Sequence, residues 1–70
     1  MIIYLLSFND EGAYCAFQSF EKAKSVLWEH YCEEVPVEVR NQYLKDDLET
    51  LEKGYIIDYG YIEEITLVEE

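Results

Sequence analysis

Seventy residues make one domain with a thin core, because a chain this short buries only about 60% of the surface its unfolded form exposes. Sixteen acids against five bases give a net charge of −11. That excludes ordinary nucleic-acid binding, in which Lys and Arg neutralise phosphates, and it argues against anionic membranes. Half of the residues are apolar, so the chain is not a disordered acidic tail either.

Residues 2–8, IIYLLSF, read as a strand. Ile2, Tyr4, Leu6 and Phe8 fall on one face, Ile3 and Leu5 on the other. Both faces are apolar, which suits an inner strand covered on both sides or a face used for self-association. NDEG (9–12) is a turn, and AYCAF (13–17) is the returning strand of a hairpin.

Ser19 then reads as a helix N-cap, with Glu21 favoured in the first turn by the helix dipole. The first helix is expected over 20–33. Phe20, Ala23, Leu27 and Tyr31 recur at three- and four-residue steps and form its inner stripe. Val26 and His30 flank that stripe on one side, Trp28 and Cys32 on the other, and Lys22, Glu29 and Glu33 lie outside.

Pro36 pushes Val35 out of the helical region and suits the first turn of a second helix, expected over 37–53 and ended by Gly54. Val37, Leu44, Leu48 and Leu51 share one face of it, with Val39 and Tyr43 nearly opposite. A break at 45–47 is an alternative, because Asp46 or Asp47 could cap a second short helix. After Gly54 the residues turn β-forming again. Either 55–58 and 61–68 form a second hairpin, or 55–60 is a loop leading to one last strand. The second is preferred, because Tyr59-Gly60 is a poor two-residue turn. Ile62, Ile65 and Leu67 cannot all face one way without a bulge. The whole reads as an α+β fold, ββααβ with three or four strands, with both helices on one small antiparallel sheet.

Few arrangements carry chemistry. His30 and Cys32 sit among Glu29, Glu33 and Glu34, but two residues apart on a helix they do not converge as zinc ligands do. His30 reads better as a half-buried packing residue. Cys15 and Cys32 read as small hydrophobes of the core or its flank, with no orienting third group for a Cys/His nucleophile. Gly12, Gly54 and Gly60 are isolated and make no phosphate loop. The expectation is a protein that is not an enzyme and holds no metal or cofactor. MIIYLLSF has neither a basic n-region nor a cleavage site, which points to a cytoplasmic chain with both thiols reduced.

What stands out is the acidic surface. From residue 54 to the end there is no base, while Asp58, Glu63, Glu64, Glu69 and Glu70 are all acids. Glu29, Glu33 and Glu34 add three more at the end of the first helix, and Asp46, Asp47, Glu49 and Glu52 four on the second. Glu29 and Glu33 are four apart, a repulsive helical pair. The ordinary reading is a solvated face that keeps an apolar-rich chain soluble. The sharper one is that these carboxylates stand in for a row of phosphates and dock on a basic protein surface, with nearby aromatics as anchors. The residues that reading selects are Trp28, Glu29, Glu33, Tyr43, Asp46, Asp47, Asp58, Tyr59, Tyr61, Glu63 and Glu64. A self-associating structural or regulatory protein, forming a homodimer, is the alternative.

The stretches MIIYLLSF, AFQSFEKAKSVL and YIEEITLVEE together resemble small proteins encoded by bacterial phages and mobile elements. In these a strand, an acidic turn and a second strand ending in aromatic-x-Ser lead into a Glu-Lys-Ala helix, and an acidic last strand closes the sheet. The likeness covers about the first thirty residues and the last ten, with Ser19 as cap and Ala23 as the close-packed helix position. Residues 35–54 have no counterpart in it. Some small acidic phage proteins inhibit host defence systems, including restriction and CRISPR nucleases, by imitating DNA. The resemblance implies such a role and transfers no functional residue.

Overall fold

A computed structural model describes residues 1–68. The elements are β1 (Ile2–Phe8), β2 (Gly12–Phe17), α1 (Phe20–Glu34), α2 (Val37–Glu52), β3 (Tyr55–Ile56) and β4 (Gly60–Thr66). They form an α+β fold in which two helices pack against a four-stranded antiparallel sheet of order β2-β1-β4-β3. Glu69 and Glu70 of the acidic set lie outside the described residues.

The local signals act as the sequence suggests. The Ser19 hydroxyl accepts from the Lys22 amide at 3.3 Å and starts α1. Pro36 holds Val35 extended (φ −99°, ψ 126°), so α1 stops and α2 starts afresh. Gly54 closes α2 at φ +99°, where an L side chain would be strained and its Cβ would sit 3.2 Å from the Phe20 ring.

β1 is the inner strand, paired over its whole length with β4, from Ile2 opposite Thr66 to Phe8 opposite Gly60. Gly60 permits the close approach, since a Cβ there would lie 2.9 Å from the Ser7 carbonyl oxygen and 3.0 Å from Leu27 Cδ1. Between Leu6 and Ser7 the pairing with β2 shifts by one residue, and Tyr14 is the extra one. Its ring stacks edge-on against Phe8 and His30. His30 is half-buried there, as expected.

The helix side of the sheet supplies the core. Leu6, Phe8, Leu27, Tyr31, Leu51 and Ile56 make one buried cluster. Full burial of Leu6, Leu27 and Ile56 stabilises by roughly 1.5–3 kcal/mol each. Of the expected α1 stripe, Ala23, Leu27 and Tyr31 are buried and Phe20 is half-buried. Lys24 is buried with them: its ammonium lies 5.3 Å from the Phe20 ring centroid and pairs with Glu21 and Glu52, each at 3.1 Å.

Four expectations change. The stretch 55–60 is no plain loop: β3 pairs Tyr55 with Tyr61 and Ile56 with Gly60 across a three-residue turn, 57–59. Asp58 supplies the left-handed residue of that turn (φ 60°), a conformation Asp tolerates. The turn has three residues, so the objection to Tyr59-Gly60 as a two-residue turn does not apply. Secondly, α2 is unbroken through 45–47, so neither Asp46 nor Asp47 caps a helix. Thirdly, α2 packs through Asp47 and Leu51, with Arg40 and Thr50 half-buried, while Val37, Leu44 and Leu48 stay exposed. The packed face is rotated by roughly 60° from the apolar stripe at 100° per residue. Lastly, Cys15 is exposed on edge strand β2, and Cys32 is half-buried; neither is in a disulfide.

The other face of the sheet carries Ile3 and Leu5 of β1, Tyr61, Glu63 and Ile65 of β4, and Tyr55 of β3, by the alternation of side chains along each strand. Both helices lie on the opposite side. Ile3, Leu5 and Ile65 are half-buried, and Tyr55 and Tyr61 are exposed.

A tyrosine and aspartate groove as candidate functional site

The β3–β4 turn is held against the rest of the chain by backbone bonds. The Asn9 amide donates to the Tyr59 carbonyl at 2.9 Å, and the Tyr59 amide donates to Ile56 at 3.0 Å. These fix Tyr59 between the sheet and the C-terminal end of α1. Its ring packs edge-on against Phe8 at 5.5 Å and Tyr31 at 5.3 Å, and its hydroxyl donates to Glu34 Oε2 at 3.0 Å. Burial first, and then the Glu34 carboxylate, push the Tyr59 phenol upward, so it stays protonated.

Beyond Tyr59 opens a groove of about 550 Å³. Its walls are Tyr31 of α1, Val35 of the interhelical link, Val39, Tyr43, Asp46 and Asp47 of α2, and Ile57, Asp58 and Tyr59 of the turn. Three phenol rings and three carboxylates line it, and no Lys, Arg or His does. The volume lies within the range of small-ligand sites. At its rim Val39, Tyr43 and Ile57 are 42%, 54% and 60% exposed.

Asp47 is the unusual member. Only 5% exposed, it accepts a hydrogen bond from the Tyr31 hydroxyl through Oδ2. Burial and this bond push the Tyr31 phenol up to about 12. A buried carboxylate normally has an ion-pair partner. Among the described residues Asp47 has none, because both ion pairs belong to Lys24. The nearest candidate, Arg40, is engaged elsewhere, its Nε donating to the Val35 carbonyl at 3.1 Å and its Nη1 to Cys32 Sγ at 3.4 Å.

Five of the eleven sequence-selected residues therefore meet in one place: Tyr43, Asp46, Asp47, Asp58 and Tyr59. The remaining six are dispersed. Tyr61 and Glu63 point to the open sheet face, and Glu64 lies opposite Tyr4 on the helix side, exposed. Trp28 is half-buried with its ring 5.4 Å from Tyr31, beside Lys24 and Leu51. Glu29 and Glu33 are exposed on α1. Asp47 belongs to the wall of the groove and not to the outer acidic surface where its charge alone would place it.

Tyr31, Val35, Val39 and Ile57 were not selected from the sequence. Tyr31 reads as one more residue of an apolar stripe. The available signal was its hydroxyl, which in a buried tyrosine needs a partner. Val39 left a second signal, lying off the apolar stripe of α2.

A second, smaller hollow of about 230 Å³ lies across Tyr59, lined by Phe8, Asp10, Glu11, His30 and Glu34. Among the described residues no group of three or more His, Cys, Asp or Glu is placed to hold a metal ion. No helix of the described chain is long and apolar enough to cross a membrane. No family model, curated protein or solved structure matches this chain.

Proposed function

We propose that this protein is a non-enzymatic, acidic binding module that docks on a basic surface of another protein. In its narrower form the reading is a phage-encoded inhibitor that takes the place of nucleic acid on a host nucleic-acid-binding or defence protein. The single observation that carries the binding reading is the groove walled by Val39, Tyr43, Asp46, Asp47, Ile57, Asp58 and Tyr59, where carboxylates and exposed aromatic and aliphatic side chains occur together and no base is among the lining residues. Acids kept only for solubility need no apolar rim beside them. Interface anchors combine the two, since the apolar contacts supply affinity and the charges supply steering and register.

The test is capture from a bacterial lysate on the immobilised protein at rising salt. Retention at about 50 mM salt that is lost by about 500 mM fits charge-driven docking. Release of the captured protein by added duplex DNA fits the narrower inhibitor reading. Retention of nothing at low salt, or retention indifferent to salt, overturns the proposal. The alternative, a self-associating module, has its own observation in the open sheet face with Ile3, Leu5, Ile65, Tyr55 and Tyr61. Light scattering across concentrations decides it: a strict monomer rejects self-association.

A further inference from the structure

We infer that the groove is a receptor for a single arginine side chain presented by the basic partner, with Asp46, Asp47 and Asp58 facing its guanidinium and Tyr43 and Tyr59 facing its planar and methylene surfaces. The inference deepens the binding reading above and rests on it.

Two features of the groove point to a cation. One is the composition of the walls, with three carboxylates and three phenol rings and no basic side chain. The other is Asp47 itself, more than nine-tenths buried, lining the groove, and without an ion pair among the described residues. Its Oδ2 is taken by Tyr31. No donor to its other oxygen is found among the described residues, although every fully buried side-chain nitrogen and oxygen there has a partner. That oxygen therefore keeps some exposure, on a residue that lines the groove. An incoming cation would neutralise a charge that the fold leaves uncompensated.

Arginine fits better than lysine for three physical reasons. A guanidinium is planar and weakly hydrated, so it loses less on entering a site walled by rings. It stacks on aromatic rings, and of the lining tyrosines Tyr43 is 54% exposed and Tyr59 half-buried. Its several donors can serve more than one carboxylate at once. The aliphatic rim of Val39 and Ile57 suits the methylene stem and the flanking residue.

A second copy of this chain does not supply the group. Its one arginine, Arg40, is half-buried and already donates to Val35 and Cys32. The occupant is therefore a different, basic protein.

The experiment is an NMR titration of the full ¹⁵N-labelled chain with N-acetyl-arginine methylamide, and in parallel with the lysine and citrulline analogues and spermidine. The expected result is saturable shifts confined to residues 31, 35–47 and 57–59, with arginine at least about threefold tighter than lysine and citrulline without effect. In the D46N/D58N variant the arginine affinity should fall at least about fivefold. Both positions are exposed, and Asn tolerates the left-handed backbone at 58, so an unchanged spectrum elsewhere shows that the fold is kept. Lysine or spermidine matching arginine overturns the assignment, as do shifts spread over all acidic surfaces or an unchanged affinity in the variant. Capture of a basic protein that persists in D46N/D58N defeats the arginine site and leaves the binding reading standing. Arginine binding in the groove without any protein captured from lysate defeats the binding reading alone.

Discussion

Removing the Tyr31 hydroxyl tests the central polar contact of the fold. In Tyr31→Phe the ring still fills its place between Trp28 and Tyr59, so no cavity opens. What is lost is the donor to Asp47, whose carboxylate is 5% exposed and has no ion pair among the described residues. A hydrogen bond to a charged group contributes about 1.5–3 kcal/mol, and leaving the charge buried without a donor adds a desolvation cost. The expected loss is about 2–3 kcal/mol. A domain of this size has a total stability of roughly 4–10 kcal/mol, so the change is a large share of it. With a urea slope of about 1 kcal/mol/M, the unfolding midpoint should fall by about 2–3 M. Asp47→Asn keeps an acceptor for the phenol and should lose only about 1 kcal/mol. The double variant Y31F/D47L replaces both partners with apolar groups. It should be more stable than the summed losses of Tyr31→Phe and Asp47→Leu predict, with a coupling of about 1.5 kcal/mol or more. A loss below about 0.5 kcal/mol in Tyr31→Phe, or strictly additive losses in the cycle, would refute a buried charge held by this one hydroxyl.

Alkali should destabilise the protein in a defined window. The Tyr31 phenol is raised to about 12 in the fold from about 10 in the unfolded chain, so its contribution is complete below pH 10 and is lost as pH rises through 12. The loss amounts to about 3 kcal/mol, read as a falling urea midpoint between pH 10 and 12 that is much shallower in Tyr31→Phe. Tyr59 shifts in the same direction, so part of the alkaline slope should survive in that variant. Gly60→Ala should cost more than about 2 kcal/mol, because the new methyl meets the Ser7 backbone oxygen at 2.9 Å; thermal denaturation showing a near-wild-type midpoint would contradict the close β1–β4 approach. Asp58→Gly should raise stability by about 0.5–1 kcal/mol by relieving a left-handed backbone, while weakening capture of a basic partner; a gain in stability with undiminished capture would remove Asp58 from the site. Tyr59→Ala should cost about 2–3 kcal/mol, since the ring packs on both Phe8 and Tyr31; a loss under about 0.5 kcal/mol in urea denaturation would make it a surface residue only.

The sequence by itself determined whatever depends on neighbours along the chain. The Ser19 cap, the stop at Pro36, the end of α2 at Gly54 and the inner stripe Ala23, Leu27, Tyr31 follow from backbone sterics and the 3.6-residue period, which act within a few residues. The α+β class follows from the alternation of strand and helix patterns. Tertiary structure decided the rest. Which face of α2 turns inward was not legible, because Val37, Leu44 and Leu48 are a better apolar stripe than the one the fold packs. The choice went to Leu51 with Asp47, whose carboxylate gains the Tyr31 hydroxyl sixteen residues away. The two-residue β3 was equally hidden, since its pairing depends on β4 being already held along β1. The groove inherits both decisions. The rotation of α2 brings Tyr43, Asp46 and Asp47 round to the turn at 57–59, and that turn exists because β3 pairs. Acidity and aromatic content were properties of the composition; the meeting of Tyr43, Asp46, Asp47, Asp58 and Tyr59 in one groove is a property of packing between segments far apart in the chain.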